Sequence, residues 1–216
     1  MIREAIQFLV DGRSLTMEEA AQVMGELMDG QVTDAQFGAF VTALRINGET
    51  VEEIAGLART MRDKAIHVDA GGPVVDTCGT GGDGTTTFNI STTAAFVVAG
   101  AGLKVAKHGN RAMSSKCGSA DVLETLGVKI ELTAEQVEKC LKEIGIGFMF
   151  APSFHPSMKY ASAPRREIGI RTVFNILGPL TNPAGAQAQV IGIPSEEFGF
   201  RMAQAMGILG TGHVLV

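Results

Sequence analysis

Apolar residues in the first third of the chain recur every three or four positions. The sets are Ala20, Val23, Met24 and Leu27, then Phe37, Phe40, Val41 and Leu44, then Ile54, Leu57, Ala58 and Met61. That spacing lines one face of a helix. Ahead of each stripe stands a threonine with Glu or Gln three residues later: Thr16 with Glu19, Thr33 with Gln36, Thr50 with Glu53. Such pairs are capping boxes, in which hydroxyl and carboxylate or amide satisfy the free backbone donors of a helix start. Asp29-Gly30 and Asn47-Gly48 supply the turns between stripes. Short helices are therefore predicted up to about residue 66. Their outer faces are polar and carry no cluster of acids, bases or ligands, so packing or pairing with a second copy is their expected role.

The pattern changes at Ala70-Gly71-Gly72-Pro73. Beyond it, short strand-like runs alternate with helical ones. Strands are predicted at Val74–Asp76, Leu103–Lys107, Val128–Leu132, Ala188–Ile193 and His213–Val216, with a further apolar run at Ile146–Phe150. Helices are predicted through Ala94–Val97, over Ala120–Leu126, from a Thr133/Gln136 capping box, and from Ser195-Glu196-Glu197. This alternation predicts an α/β fold. A small all-helical N-terminal domain (1–70) precedes a larger domain (71–216) with a mainly parallel sheet covered by helices.

Composition narrows the function classes. Hydrophobic residues at 45% and charged residues at 19% suit a chain that buries a core and argue against disorder. No apolar run approaches the ~20 residues of a membrane helix. The opening residues reach Asp11 too early for a signal peptide, so a cytoplasmic location without membrane contact is expected. Three cysteines without ligand spacing imply neither a disulfide framework nor a zinc site. A net charge of −5 argues against a nucleic-acid partner, which requires neutralised phosphates.

The stretch from Asp76 to Thr92 carries the most chemistry. Gly79, Gly81, Gly82 and Gly84 let the backbone approach a ligand closely and turn successive N–H groups into one concavity, which suits an anion. Threonine hydroxyls add donors. Asn89 and Ser91 then fall at a helix start, where free amides and the helix dipole favour phosphate. Gly79, Gly81 and Gly84 also spell the dinucleotide pattern. There, however, the helix should open inside the motif and the next strand should end in an acid, whereas this one ends in Lys107. No Lys-Ser or Lys-Thr follows the glycines, which excludes a Walker loop. Asp83 beside a phosphate cradle makes sense with a cation between them. A hard ion such as Mg²⁺ bridges to substrate phosphates, and Ser91 could supply one oxygen.

A second polar loop, Lys107 to Ser119, follows the next strand and opens on the same sheet edge. Lys107, Arg111 and Lys116 offer charge for phosphate, and Ser114, Ser115 and Ser119 offer hydroxyls. Cys78 and Cys117 flank the loops without a base to activate them, so a nucleophilic role is not expected.

The two loops together resemble the anthranilate phosphoribosyltransferase family. The resemblance is carried by Gly79–Asp83, Asn89–Thr92, Lys107–Arg111, His155-Pro156, Arg165, the run Gly169–Asn175 and the run Leu177–Pro183. It implies a helical domain joined to an α/β domain, a homodimer formed through the helical domain, and a cleft between the two. It further implies that Gly79, Gly82, Asp83, Thr87, Asn89, Ile90, Ser91, Thr92, Lys107 and Ser119 bind phosphoribosyl pyrophosphate. Ser91 would bind Mg²⁺, and Asn110 and Arg165, with Gly79 close by, would hold anthranilate. An Asp-Glu pair that binds magnesium is implied after the strand resembling His213–Val216, beyond the last residue of this chain. The implied reaction is transfer of the phosphoribosyl group to the amine of anthranilate in tryptophan biosynthesis, with no catalytic nucleophile. Alternatives are a non-catalytic fragment that binds ligand or dimerises, a pyrimidine nucleoside phosphorylase, and an NADP-binding protein.

Overall fold

The structure is a computed structural model that describes residues 1–81, 88–112 and 117–216. Its elements begin with four helices, α1 (Ile2–Val10), α2 (Met17–Met28), α3 (Asp34–Asn47) and α4 (Val51–Asp63). There follow β1 (Val75–Gly79), α5 (Ile90–Gly100), β2 (Val105–Gly109), α6 (Ser119–Thr125), α7 (Ala134–Glu143) and β3 (Ile146–Phe150). The last part holds α8 (Ala151–Phe154), α9 (Lys159–Ile168), α10 (Phe174–Leu180), β4 (Ala188–Gly192), α11 (Glu196–Ile208) and β5 (His213–Leu215).

The capping boxes read from the sequence form as expected. At α2 the Glu19 amide donates to Thr16 Oγ1 at 3.2 Å while the Thr16 amide donates to Glu19 Oε2 at 2.8 Å. The same reciprocal pair opens α3, α4 and α7. Each such cap contributes about 1 kcal/mol. Glu53 does more than cap α4. It is fully buried, and its other oxygen accepts the Leu15 amide at 2.8 Å, fixing the α1–α2 link against α4. The α2 and α4 backbones meet at Gly56, where a Cβ would stand 2.2 Å from the Met17 carbonyl oxygen.

The sheet order is β3-β2-β1-β4-β5, and every pairing is parallel. From β1 the chain builds outward through β2 and β3, then returns to lay β4 on the other side of β1. The order therefore reverses between β1 and β4, where Gly79 lies opposite Gly192. Open parallel sheets bind ligands beyond the carboxyl ends of their strands at such a switch point. Both candidate loops leave the sheet on this edge.

One expected strand is absent. Residues 128–132 are irregular, and the neighbour of β2 is β3. The apolar signal there has another cause: Ile130 is buried against Ala120, Leu123, Phe148 and Phe150, and the Val128 amide donates back to Leu123. β1 and β2 also run farther than expected, to the glycines at their carboxyl ends. Helices α9 and α10 are additions that the sequence pattern does not predict. Each contains a proline, Pro164 and Pro179, a residue that disfavours a helix interior.

The helical bundle and the sheet domain share one core. Phe37, Phe40 and Leu57 belong to the same apolar cluster as Phe174, Leu177, Ile191 and Met202, and the Phe37 and Phe174 rings stand 5.3 Å apart. Arg62, from α4, crosses the junction. Its Nε donates to the Leu180 carbonyl at 2.6 Å and its Nη1 to the Leu209 carbonyl at 3.1 Å.

Candidate phosphate and acceptor site

At the end of β1, Thr77 and Cys78 are buried while Gly79 is exposed at the sheet edge. Gly81 has φ +66°, a left-handed conformation that glycine adopts without strain, and its carbonyl accepts from Arg171 Nη1 at 3.2 Å. Asn89 caps α5: its Oδ1 accepts the Thr92 amide at 2.9 Å and the Ser91 hydroxyl at 3.1 Å. Thr77 Oγ1 donates to the Ser91 carbonyl at 2.8 Å, which docks the first turn of α5 on β1.

Lys107 joins the two strands. It is 2% exposed, and its ammonium donates to the Thr77 carbonyl and lies 3.4 Å from Ser91 Oγ. An ammonium has three donors, and among the described residues two of them are engaged. Burial pulls the Lys107 amine down from its ordinary value, and Asp76 partly offsets this. The Thr80 and Thr92 hydroxyls are buried and without a partner among the described residues. Asn89, Ser91, Thr92 and Lys107 thus stand together at a helix N-terminus with donors to spare. Ile90, at the first position of α5, is 59% exposed. Gly82, Asp83, Gly84, Thr87, Ser114, Ser115 and Lys116 lie outside the described residues.

Beneath the cradle, on the other side of the sheet, Asp76 is fully buried. Asn182 Nδ2 donates to it at 2.8 Å, the His108 amide at 3.3 Å and Gln189 Nε2 at 3.4 Å. Asn182 also donates to the Ala106 carbonyl at 2.9 Å, and Gln189 to that of Pro179 at 3.1 Å. Burial pushes the Asp76 carboxyl up, against the opposing pull of Lys107 and the bond from Asn182. This network ties β1, β2, β4 and the turn after α10 into one rigid base. The sequence reading missed it. The available signal was a charged and an amide residue, Asp76 and Gln189, inside otherwise apolar strands.

The second loop starts at Gly109, where a Cβ would lie 2.9 Å from the Phe148 ring and 3.0 Å from Ser119 Cβ. Ser119 is therefore seated directly over the end of β2. The loops are tied to each other through Asn89 Nδ2, which donates to the Cys117 carbonyl at 3.2 Å. Asn110 is exposed, with its carbonyl accepting the Ala120 amide at 3.2 Å. Arg111, expected as a charge for phosphate, is instead committed to Glu124: Nη1 meets one oxygen and Nη2 the other at 2.8 Å.

Arg165 sits on α9, half-buried, over the Phe174 ring at 5.4 Å. Burial lowers its affinity for its proton, and its guanidinium makes no hydrogen bond or ion pair with described residues. Its guanidinium fork is thus available to a carboxylate. No described bond links it to the cradle. The His108 and His155 rings stand 5.0 Å apart. His155 Nε2 meets the Thr181 carbonyl at 3.1 Å, while His155 Nδ1 and His108 Nε2 are buried without partners among the described residues. Burial lowers the two imidazoles to about 4 and about 3 respectively, so both are neutral near pH 7.

The fold and site define a two-part α/β protein that gathers Asn89, Ser91, Thr92 and Lys107 at a topological switch point. Residues 71–216 match the family described as "Glycosyl transferase family, a/b domain", and residues 3–65 match "Glycosyl transferase family, helical bundle domain". The chain belongs to this glycosyl transferase family. Among its relatives, the anthranilate phosphoribosyltransferase of Chloroflexus aurantiacus is 67% identical over 215 residues, and that of Dehalococcoides mccartyi 63% identical over 216. Each match covers 100% of this chain and 63% of the relative. The crystal structure of anthranilate phosphoribosyltransferase from Thermus thermophilus aligns with a TM-score of 0.91 at 48% identity, covering 96% of this chain and 63% of that one. The Saccharomyces cerevisiae enzyme in complex with PRPP and Mg aligns with a TM-score of 0.89 at 30% identity, covering 98% and 63%. The chain thus spans a little under two thirds of the length of these relatives.

Proposed function

We propose that the protein transfers the 5-phosphoribosyl group of phosphoribosyl pyrophosphate to the amine of anthranilate, giving N-(5-phosphoribosyl)anthranilate and pyrophosphate in tryptophan biosynthesis. One observation carries this reading: identity of 67% along the whole chain to a relative of that name, with Lys107, Asn89 and Ser91 drawn together at the switch point.

The pyrophosphate end of the donor would meet the α5 N-terminus and the glycine loop, with Lys107 and Ser119 on the other side. Arg165 would take the anthranilate carboxylate and Asn110 would orient the ring, with Gly79 leaving room between. Anthranilate's amine is neutral and nucleophilic, so it needs no strong base. The chain's residues would act by holding amine and ribose carbon in line and by solvating the departing pyrophosphate with fixed donors. Loss of pyrophosphate with positive charge developing on the ribose fits a site that offers no nucleophile.

The described donor set suits Mg²⁺ only as an ion shared with substrate. Ser91 Oγ is a hard oxygen, but among the described residues no three acidic, histidine or cysteine side chains cluster as a ready metal site. Ser91 would supply one ligand, with pyrophosphate oxygens and water supplying others. When bound, the ion would neutralise charge on the leaving group. We further place the enzyme in the cytoplasm as a homodimer joined through the helical bundle. Among the described residues no helix is long and apolar enough to cross a membrane. Val10 and Ile46 are exposed apolar residues on the bundle surface.

A substrate panel on the full-length polypeptide tests the reading. Anthranilate consumption with stoichiometric pyrophosphate release supports it. Phosphate-dependent release of free base from pyrimidine nucleosides, without anthranilate turnover, would replace it with a nucleoside phosphorylase.

A further inference from the structure

Between β2 and α6, the residues next to Asn110 and those next to Ser119 are held together by a single carboxylate oxygen. Asp121 Oδ2 accepts the Ala112 amide at 2.9 Å and the Gly118 amide at 2.8 Å. Its Oδ1 stands 3.6 Å from Arg111 Nη1, whose guanidinium is anchored on Glu124. The pinch is tight. A Cβ on Gly118 would lie 2.4 Å from Ala112 N, 2.6 Å from Arg111 C and 2.7 Å from the Asn110 carbonyl oxygen. From this base the Ala120 amide reaches the Asn110 carbonyl, and Ser119 packs on Gly109.

We propose that Asp121 is a positioning residue: by clamping Ala112 to Gly118 it sets Asn110 for the acceptor and Ser119 for the phosphoribosyl donor while touching neither substrate. The inference rests on the proposed function. The amides of Ala112 and Gly118 hold the Asp121 carboxyl below its ordinary value, so the clamp is ionised throughout the neutral range. A partly exposed residue that serves only to cap a short helix would affect stability and nothing else. A clamp that spaces two substrate contacts affects binding, because a substrate hydrogen bond whose donor is moved out of reach is lost, about tenfold in affinity for each.

The test measures KM for each substrate and kcat for the full-length protein and for Asp121→Ala, Asp121→Asn and Gly118→Ala. Each is assayed at a temperature where circular dichroism finds it folded. Asp121→Ala is expected to raise both KM values about tenfold, with a smaller change in kcat. Asp121→Asn keeps an oxygen able to accept both amides and is expected within about threefold of wild type. Gly118→Ala forces the ends apart while leaving the carboxylate in place, and is expected to reproduce the KM rise should Asp121→Ala not fold. KM values unchanged in Asp121→Ala, or in Gly118→Ala where only that variant folds, overturn the clamp, as does an Asp121→Asn defect equal to that of Asp121→Ala. A wild type that turns over normally in either case leaves the proposed function intact. A wild type without turnover or donor binding removes both.

Discussion

His108 and His155 make the protein's stability depend on pH in a way that can be worked out from their burial. Both imidazoles are almost wholly enclosed, and desolvation depresses them from the ordinary 6.5 to about 3 and about 4. In the unfolded chain they take up protons below about 6.5, whereas the native state stays unprotonated until near 4. The unfolded state then binds more protons, so stability falls as pH falls through that window. The loss is about 1.4 kcal/mol per pH unit for each group, or about 2 kcal/mol each between pH 7 and pH 5. Glu49 and Asp76, which burial pushes upward, act in the opposite sense. The comparison must therefore be with a protein that keeps them. Urea unfolding of wild type and of His108→Gln/His155→Gln at the two pH values isolates the histidines. Wild type should lose about 4 kcal/mol more than the double variant on acidification. A difference below about 1 kcal/mol would refute the assignment of both rings as buried and neutral.

Other expectations follow from single contacts. Arg165→Ala removes a guanidinium with no described polar partner, so folding should be nearly unchanged. KM for anthranilate should rise about tenfold to a hundredfold, the worth of a charge-assisted bond. An unchanged KM would detach Arg165 from the acceptor. Gly56→Ala puts a methyl 2.2 Å from the Met17 carbonyl, and because that neighbour is backbone, α2 and α4 must separate. The thermal midpoint should drop with a loss of about 1–3 kcal/mol, and calorimetry that finds no loss would contradict the close crossing. Thr33→Ala should cost about 1 kcal/mol in the same measurement by removing the α3 cap.

Much of this architecture was legible because local rules and tertiary packing agree. The four threonine capping boxes mark helix starts chemically, and all four form. The strands β1 and β2 were legible from the apolar residues at their starts, while their carboxyl ends, which run on to Gly79 and Gly109, were not. Val128–Leu132 misled because burial of Ile130 in a coil leaves the same apolar signature as a strand. Helices α9 and α10 were hidden by Pro164 and Pro179, whose cost is outweighed by packing of Ala161, Phe174 and Leu177 in the shared core. At the site, the residue types pointed to phosphate chemistry, and the cradle of Asn89, Ser91, Thr92 and Lys107 assembles. Of the supporting network, only Asp76 and Gln189 left a signal, as polar residues inside strands; their partners left none. That Asp76 faces Asn182, 106 positions away, or that Arg111 turns to Glu124 rather than toward ligand, follows from three-dimensional register that no local pattern encodes.

Lys107 stands at the centre of the switch-point cradle proposed as the donor site. Isothermal titration of phosphoribosyl pyrophosphate with Mg²⁺ into the full-length wild type and Lys107→Met tests that role directly. Methionine preserves the apolar stem and removes the charge. Saturable binding by wild type, weakened at least about tenfold in a folded Lys107→Met, is the predicted result. Equal affinity in the two proteins, or no binding by wild type, would contradict the account.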